Sequence, residues 1–265
     1  MKIKKVWALS FSPTGTSKKI VDTIVTGISG VEQGSIDVTQ SEDITKKTFT
    51  SEELVVIGVP VYAGRVAPLA VERLKNIKGS MTPAVLVVLY GNREYEDALI
   101  ELRDIAVSAS FVPVAAAAFI GEHSFSSADE PIAAGRPDAA DINTAISFSN
   151  KIMVKLKEMR DTKNICIIDV PGTTPYKDGV GSIPVTPHVD QNLCTNCGLC
   201  ISKCPAGAIS IEDHLSMDVE RCIFCCACIK ICPENAVCIT APPLLEKRQW
   251  LHQNYAQRKD PEIYL

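Results

Sequence analysis

The stretch KVWALSFSPTGTS, residues 5–17, predicts the fold of the first half of the chain. Its first seven residues form a short apolar run typical of a buried strand, and hydroxyl-bearing residues with one glycine follow directly. A helix-like segment then begins, so hydroxyls and backbone N–H groups converge at a helix N-terminus and form an anion site. The residues that carry this prediction are Ser12, Thr14, Gly15, Thr16 and Ser17.

The anion expected at this loop is a single terminal phosphate. Residues 5–17 contain neither the GxxxxGK sequence of nucleoside triphosphate sites nor the GxGxxG sequence of dinucleotide sites. Serine, threonine and glycine also form ordinary turns, so the loop taken alone leaves a bare turn as an alternative.

Further apolar runs alternate with helix-like segments as far as residue 160, which predicts a doubly wound α/β fold with a five-stranded parallel sheet. The predicted strands are Lys5–Phe11, Ser35–Val38, Leu54–Val59, Ala84–Tyr90 and Pro113–Ile120. The predicted helices are Ser17–Gly27, Ala67–Lys75, Tyr95–Ala109 and Asp138–Met159. The last helix would pack through an apolar face made of Ile142, Ala145, Ile146, Ile152, Leu156 and Met159.

Two more loops, GVPVYAGRVAP (58–68) and YGNREYEDAL (90–99), leave the carboxyl ends of predicted parallel strands, where doubly wound sheets bind ligands. Together the three loops resemble those of the flavodoxins over residues 1–160. The resemblance implies FMN as cofactor, with its phosphate on the 12–17 loop. It also implies that the isoalloxazine ring is flanked by Pro60, Tyr62, Ala63, Gly91, Asn92 and Tyr95.

The second half contains a duplicated cysteine motif. CTNCGLCISKCPAGAISI (194–211) and CIFCCACIKICPENAVCI (222–239) superimpose at an offset of 28 residues, and each reads C-x2-C-x2-C-x3-C-P. In this motif three thiolates hold one 4Fe-4S cubane and the fourth reaches the neighbouring cluster. The predicted ligand sets are Cys194, Cys197, Cys200 and Cys232 for cluster one, and Cys222, Cys225, Cys228 and Cys204 for cluster two.

These repeats resemble the bacterial two-cluster ferredoxins. Zinc is the alternative, but a zinc site needs four ligands and would not require eight cysteines at this spacing. The register of the repeat excludes Cys226 as a ligand, and we expect Cys226, Cys238 and Cys166 to be small buried residues.

Composition narrows the class of protein. The 265 residues include 27 basic and 31 acidic residues, a net charge of −4, which argues against a nucleic-acid surface. Ten of the eleven cysteines follow residue 190, unlike a disulfide-stapled secreted domain. No apolar stretch reaches the ~18 residues that a membrane span needs. We therefore expect a cytoplasmic protein whose partner is a redox protein or a small-molecule electron donor or acceptor.

The predicted domains are a flavodoxin-like domain (1–160), a linker (161–183), a ferredoxin-like domain (184–240) and a helical tail (241–265). The linker would be extended, because it is rich in proline and glycine. This order of parts resembles the fused flavodoxin–ferredoxin proteins found in anaerobes.

The resemblance implies an electron-transfer flavoprotein that couples two-electron FMN chemistry to one-electron transfer through two clusters. The alternative is an FMN-dependent reductase of a small acceptor such as a quinone, working at a flavin face near His123 and Arg136. A redox sensor without turnover fits the same cofactors. Arg65 and Arg93 lie in the predicted flavin loops, where each could contact the flavin or form an ordinary ion pair.

Overall fold

The computed structural model describes residues 1–40, 46–162, 168–179 and 184–265. The strands are β1 (Lys5–Ser10), β2 (Glu32–Asp37), β3 (Lys47–Thr48), β4 (Glu53–Tyr62), β5 (Arg65–Val66), β6 (Ile77–Lys78), β7 (Thr82–Tyr90), β8 (Phe111–Ile120), β9 (His188–Val189), β10 (Ile209–Ile211), β11 (Leu215–Met217), β12 (Val237–Cys238) and β13 (Glu262–Tyr264). The helices are α1 (Thr16–Gly27), α2 (Pro68–Leu74), α3 (Ala98–Ser108), α4 (Ala139–Glu158), α5 (Leu199–Lys203), α6 (Ala227–Ile231) and α7 (Pro242–Asn254).

The central sheet contains five parallel strands in the order β2–β1–β4–β7–β8. This is the 2-1-3-4-5 order of the doubly wound flavodoxin-like topology, and it confirms the predicted fold class. β13 adds a sixth strand, antiparallel to β8, with Ile263 opposite Ala117. The tail was predicted to be helical, and this is correct only for α7. The three residues of β13 form a strand because the edge of β8 offers unpaired backbone groups.

Helices cover both faces of the sheet. On one face α1 and α4 bury Ile20, Ile24 and Phe148, and on the other α2 and α3 bury Leu74 and Leu99. The strands between them are nearly continuous runs of valine, leucine and alanine, as expected when both faces are covered.

The apolar face predicted for α4 is wrong at one position. Ile146 is 43% exposed, whereas Ala145, Phe148, Ile152 and Leu156 are buried. These four residues follow the three-and-four spacing of one helical face, and Ile146 lies one residue, or about 100°, away from it.

The two cysteine repeats have the same backbone conformation. α5 and α6 begin at equivalent points of the two repeats, and each is capped by a left-handed residue, Gly198 and Cys226. Two further pairs of left-handed residues recur at the same offset, Asn196 with Phe224 and Gly207 with Asn235. The sequence duplication is therefore also a structural one.

The described part of the predicted linker does not run free but packs against α3. The backbone N–H groups of Thr173 and Lys177 both donate to the carboxylate of Asp97 at 2.8 Å. Tyr176 Oη donates to Asp104 Oδ2 at 2.5 Å. Cys166 lies outside the described residues.

The cysteine-rich part also packs against the first half. Lys230 Nζ pairs with Glu122 Oε1 at 2.5 Å, and Phe224 lies edge-on to Phe125 with ring centroids 5.7 Å apart. Arg73, which is buried in the first half, donates to the Pro205 carbonyl. Among the described residues, no helix is both long and apolar enough to cross a lipid bilayer.

Candidate cofactor sites

A cavity of about 490 Å³, the main cavity, opens at the carboxyl ends of β1, β4, β7 and β8. In doubly wound folds this is the ligand position, and the volume lies within the usual range for small-molecule pockets. It brings together residues from all three predicted loops: Ser12, Thr14, Thr16, Ser17, Pro60, Tyr62, Ala63 and Gly91.

The 12–17 loop has the geometry of an anion site. Gly15 caps α1 with a φ of +85°, and Ser12 Oγ accepts from the backbone N–H of Lys18 at 3.0 Å. The N–H groups of Thr16 and Ser17, the first two of the helix, have no intrahelical acceptor.

One atom of this loop lacks a partner. Ser17 Oγ is buried, lines the main cavity and forms no hydrogen bond with any described residue. A buried hydroxyl left unpaired costs about 1–3 kcal/mol, so a ligand oxygen at this point would stabilise the loop. The donors present therefore fit a phosphate.

Tyr62 lies at the wall between the main cavity and the second cysteine repeat. Burial raises the pKa of its hydroxyl well above the ordinary value, and the nearby thiols of Cys225, Cys226 and Cys222 raise this pKa further. The residue therefore stays protonated and can donate a hydrogen bond in this region.

Asn92 and Tyr95 were predicted to flank the ring, but their side chains are used elsewhere. Asn92 Nδ2 donates to the carbonyls of Tyr255 and Gln257 at 2.6 and 2.8 Å. Tyr95 Oη donates to Glu262 Oε2 at 2.7 Å. Both side chains thus hold the C-terminal tail, and only their neighbour Gly91 lines the main cavity among these three.

Part of the main cavity wall comes from the second half of the chain, which the sequence did not indicate. These residues are Lys177, Ile223, Phe224, Leu244, Lys247 and Leu251. They belong to the packed linker, the second repeat and α7, so they reach the cavity only because the two halves dock. No local motif marks them.

His123 lines the main cavity as a neutral imidazole. Burial lowers its pKa to about 4, and the charges of Arg93, Lys230 and Lys247 lower it further. Nδ1 accepts from the backbone N–H of Phe125 at 3.0 Å, which leaves the ring proton on Nε2. The imidazole can therefore act as a hydrogen-bond donor without carrying charge.

Three arginines named from the sequence form ion pairs. Arg136 does not line the main cavity; it is buried and binds both carboxylate oxygens of Asp141 at 2.5 Å. Its proposed place beside the flavin is therefore wrong. Arg65 binds Glu101 in the same bidentate manner at 2.7 and 2.8 Å. Arg93 pairs with Glu96 at 2.8 Å and also borders the cavity.

The cysteines group into two sets across the repeats. One small cavity, in the first repeat, is lined by the first cysteine set: Cys194, Cys197, Cys200 and Cys232. A second is lined by Cys226 and by the second cysteine set: Cys204, Cys222, Cys225 and Cys228. The fourth cysteine of each repeat thus lies with the other repeat. In the described ranges, no three or more His, Cys, Asp or Glu side chains are placed to hold a single metal ion.

Matching backbone contacts orient the two exchanged cysteines. The N–H of Ala208 donates to Cys204 Sγ at 3.2 Å, and the N–H of Ala236 donates to Cys232 Sγ at 3.3 Å. These bonds fix the direction in which each sulfur points.

Burial opposes ionisation of the second set. It raises the pKa of Cys225 to about 12, and neighbouring thiols raise this pKa further. A buried thiol of this kind ionises against a bound cation, so the donor set fits iron.

The two described cysteines outside the predicted ligand sets, Cys226 and Cys238, differ in burial. Cys226 is 1% exposed, as expected, and its thiol lies near the Phe224 carbonyl. Cys238, expected to be buried, is only partly so, because β12 pairs with the exposed two-residue strand β9.

Comparison with known proteins supports the prediction of a 4Fe-4S site in the second half of the chain. Residues 187–210 match the family model described as a 4Fe-4S binding domain. No curated protein matches the chain. Among solved structures, a flavodoxin from the domain Archaea is similar, with 15% sequence identity and a TM-score of 0.35 over 58% of this chain and 99% of that chain. Residues 187–210 thus match a 4Fe-4S binding domain, and they follow a domain whose strand order is the doubly wound 2-1-3-4-5 order.

Proposed function

We propose that the protein is an electron-transfer flavoprotein that binds one FMN and two 4Fe-4S clusters. The observation that carries this proposal is the grouping of eight cysteines into two crossed sets of four, in a chain that also has a ligand-sized cavity with a phosphate-type loop. FMN exchanges two electrons and each cluster exchanges one, so the pair converts between the two kinds of redox chemistry.

The chain's own residues bind and orient these groups. The N–H groups of Thr16 and Ser17, with the Ser17 hydroxyl, would hold the FMN phosphate. Tyr62 and Phe224 would border the ring and exclude water from it. The use of eight cysteines as cluster ligands, with no disulfide among the described cysteines, fits a reducing compartment such as the cytoplasm.

Cofactor content tests the proposal directly. Anaerobically purified protein should contain about eight iron and eight acid-labile sulfide atoms, as expected for two four-iron cubanes, and one non-covalent FMN. Metal analysis, sulfide determination and the flavin spectrum measure these numbers. Stoichiometric zinc with little iron would refute the cluster assignment, and about four iron atoms would leave only one cluster.

Replacing Ser17 with alanine should change two properties in opposite directions. The flavin-free protein should become more stable by about 1 kcal/mol, because a buried unpaired hydroxyl is removed. FMN affinity should fall by about tenfold, because a charge-assisted hydrogen bond to phosphate is lost. Urea unfolding of the apoprotein and FMN fluorescence titration give the two values.

Ser149 provides a matched control, since it is equally buried but its Oγ already donates to the Ile146 carbonyl at 2.6 Å. Ser149→Ala should not stabilise the apoprotein and should leave FMN affinity unchanged. Unchanged FMN affinity in Ser17→Ala would show that the phosphate does not reach this hydroxyl.

A second function, an FMN-dependent reductase of a small acceptor such as a quinone, is favoured by one observation. His123 borders the main cavity as a neutral imidazole with its proton on Nε2, so it can donate a hydrogen bond to an acceptor there. Quinone-dependent turnover that survives loss of both clusters, and falls in His123→Gln, would identify this activity.

A further inference from the structure

We infer that the cluster held by the second cysteine set exchanges electrons directly with the flavin, and that the cluster held by the first set exchanges them with a redox protein partner. This inference rests on the proposed function and adds an order to the electron path. The contact between flavin and cluster would be the dipeptide Ile223–Phe224.

Ile223 and Phe224 lie between two cysteines of the second set, Cys222 and Cys225, in the sequence. Both residues line the main cavity and also the cavity of the second set. Electron tunnelling slows steeply with distance and is faster through packed atoms than through a gap, so a wall shared by two cofactors is the favoured route. Among the described residues, the cavity of the first set shares no lining residue with the main cavity.

The duplication supplies an internal comparison. Thr195 and Asn196 stand in the first repeat where Ile223 and Phe224 stand in the second, and both are exposed to solvent. Asn196 and Phe224 share the left-handed backbone, with φ of 56° and 51°. Asparagine tolerates this conformation, whereas a bulky side chain there is a strained outlier of the kind found at functional sites. Phe224 is nevertheless buried, 5% exposed, in the inter-domain contact.

The second cysteine set is also fixed to the flavin-binding half. Lys230, which follows the second set in α6, pairs with Glu122 and donates to the Ser126 carbonyl at 3.2 Å. The Pro205 carbonyl, next to Cys204, accepts from Arg73. These contacts fix the distance between the second cysteine set and the main cavity.

The first set faces outward. Cys197 is exposed, and two apolar side chains beside the set, Leu193 and Leu199, are 51% and 43% exposed. Apolar residues around an exposed ligand of a one-electron centre fit the docking face of another one-electron redox protein. Small two-electron reagents would instead react at the flavin.

The electrons balance in this order. The anionic two-electron-reduced form of FMN would release two electrons and one proton; each cluster would take one electron in turn, first at the second set and then at the first. The proton leaves to water at the cavity mouth, and the partner protein takes the electrons one at a time from the first set.

The matched pair Phe224→Ala and Asn196→Ala tests the contact. After rapid reduction of the flavin in the holoprotein, stopped-flow absorbance should show cluster reduction slowed about tenfold or more in Phe224→Ala, because the contact geometry is lost, and unchanged in Asn196→Ala. Both variants are assayed with saturating FMN, and their iron content, measured separately, should match the unmodified protein. Equal rates in the two variants would overturn the assignment.

A second pair of variants, Cys228→Ser and Cys200→Ser, tests the inference if Phe224→Ala does not fold. Cys228→Ser, in the second set, should leave the flavin unable to reduce the remaining cluster. Cys200→Ser, its equivalent in the first set, should preserve flavin-to-cluster transfer but slow reduction of cytochrome c, used as the acceptor protein. A reduced cluster close to the flavin should broaden the magnetic resonance signal of the flavin radical. This broadening should be stronger in Cys200→Ser, which keeps the cluster of the second set, than in Cys228→Ser.

The reverse pattern would overturn the inference and leave the proposed function intact. Absence of FMN, or of one cluster, in the unmodified protein would instead refute the proposed function itself.

Discussion

Replacing Gly15 with aspartate should yield a folded protein that retains no FMN. Gly15 has a φ of +85°, and a Cβ built there meets no atom within 4 Å, so the new side chain has room. Its carboxylate would stand where a phosphate is expected. Two like charges 4 Å apart repel by about 4 kcal/mol at an effective dielectric constant of about 20, which corresponds to a loss of affinity of roughly a thousandfold.

Gly15→Asn separates the charge from the backbone effect. Asparagine has nearly the same shape and tolerates a positive φ, but it is neutral. This variant should bind FMN within about tenfold of the unmodified protein, since it lacks the repulsion. Fluorescence titration of both apoproteins with FMN gives the affinities, and circular dichroism checks the fold. Equal affinity of the aspartate and asparagine variants would show that the phosphate lies away from this loop.

Ending the chain at Ala241 should remove FMN and destabilise the first half, although the deleted residues lie after the cysteine repeats. α7 contributes Leu244, Lys247 and Leu251 to the main cavity wall. The amide of Asn92 would lose both acceptors, and each buried group left unpaired costs about 1–3 kcal/mol. β8 would lose its antiparallel neighbour and become an exposed edge.

The expected products are flavin-free and partly aggregated, which size-exclusion chromatography and thermal unfolding would show. Two neighbouring substitutions in the full chain give a finer test. Leu251 is 2% exposed and Trp250 is 40% exposed. Leu251→Ala should cost about 2–5 kcal/mol and lower FMN content, whereas Trp250→Ala should cost less than about 1 kcal/mol. A shortened chain that stays monomeric and binds FMN would contradict the assigned role of the tail.

Four of the five parallel strands were predictable because their residues are largely buried and read as continuous apolar runs, whereas the edge strand β2 has the polar sequence EQGSID and contains no buried residue. β13 was not predictable, because the three residues EIY carry no strand signal until the edge of β8 is available beside them. For the same reason residues 1–160, predicted to form a complete domain, lack one strand of the observed sheet. The exposed Ile146 shows that periodicity can place a helix and still misjudge its face by one residue.

The candidate sites, like the fold, were predictable only in part. Loops at the carboxyl ends of neighbouring strands must converge, so the lining by Thr16, Pro60 and Gly91 followed from the strand order. The direction of the Asn92 and Tyr95 side chains depends on a tail more than 150 residues away in sequence. The wall formed by Phe224 depends on docking contacts such as Lys230 with Glu122, which no local pattern encodes.

The late position of β13 has a consequence for biosynthesis. β8 ends at Ile120 and its partner strand begins at Glu262. At translation rates of about 5–20 residues per second, roughly 7–30 s pass between the synthesis of the two strands. During that interval the nascent chain carries an alanine-rich strand edge with no partner, a surface that chaperones bind. The edge of β8 therefore stays unpaired in the nascent chain until Glu262–Tyr264 have been synthesised.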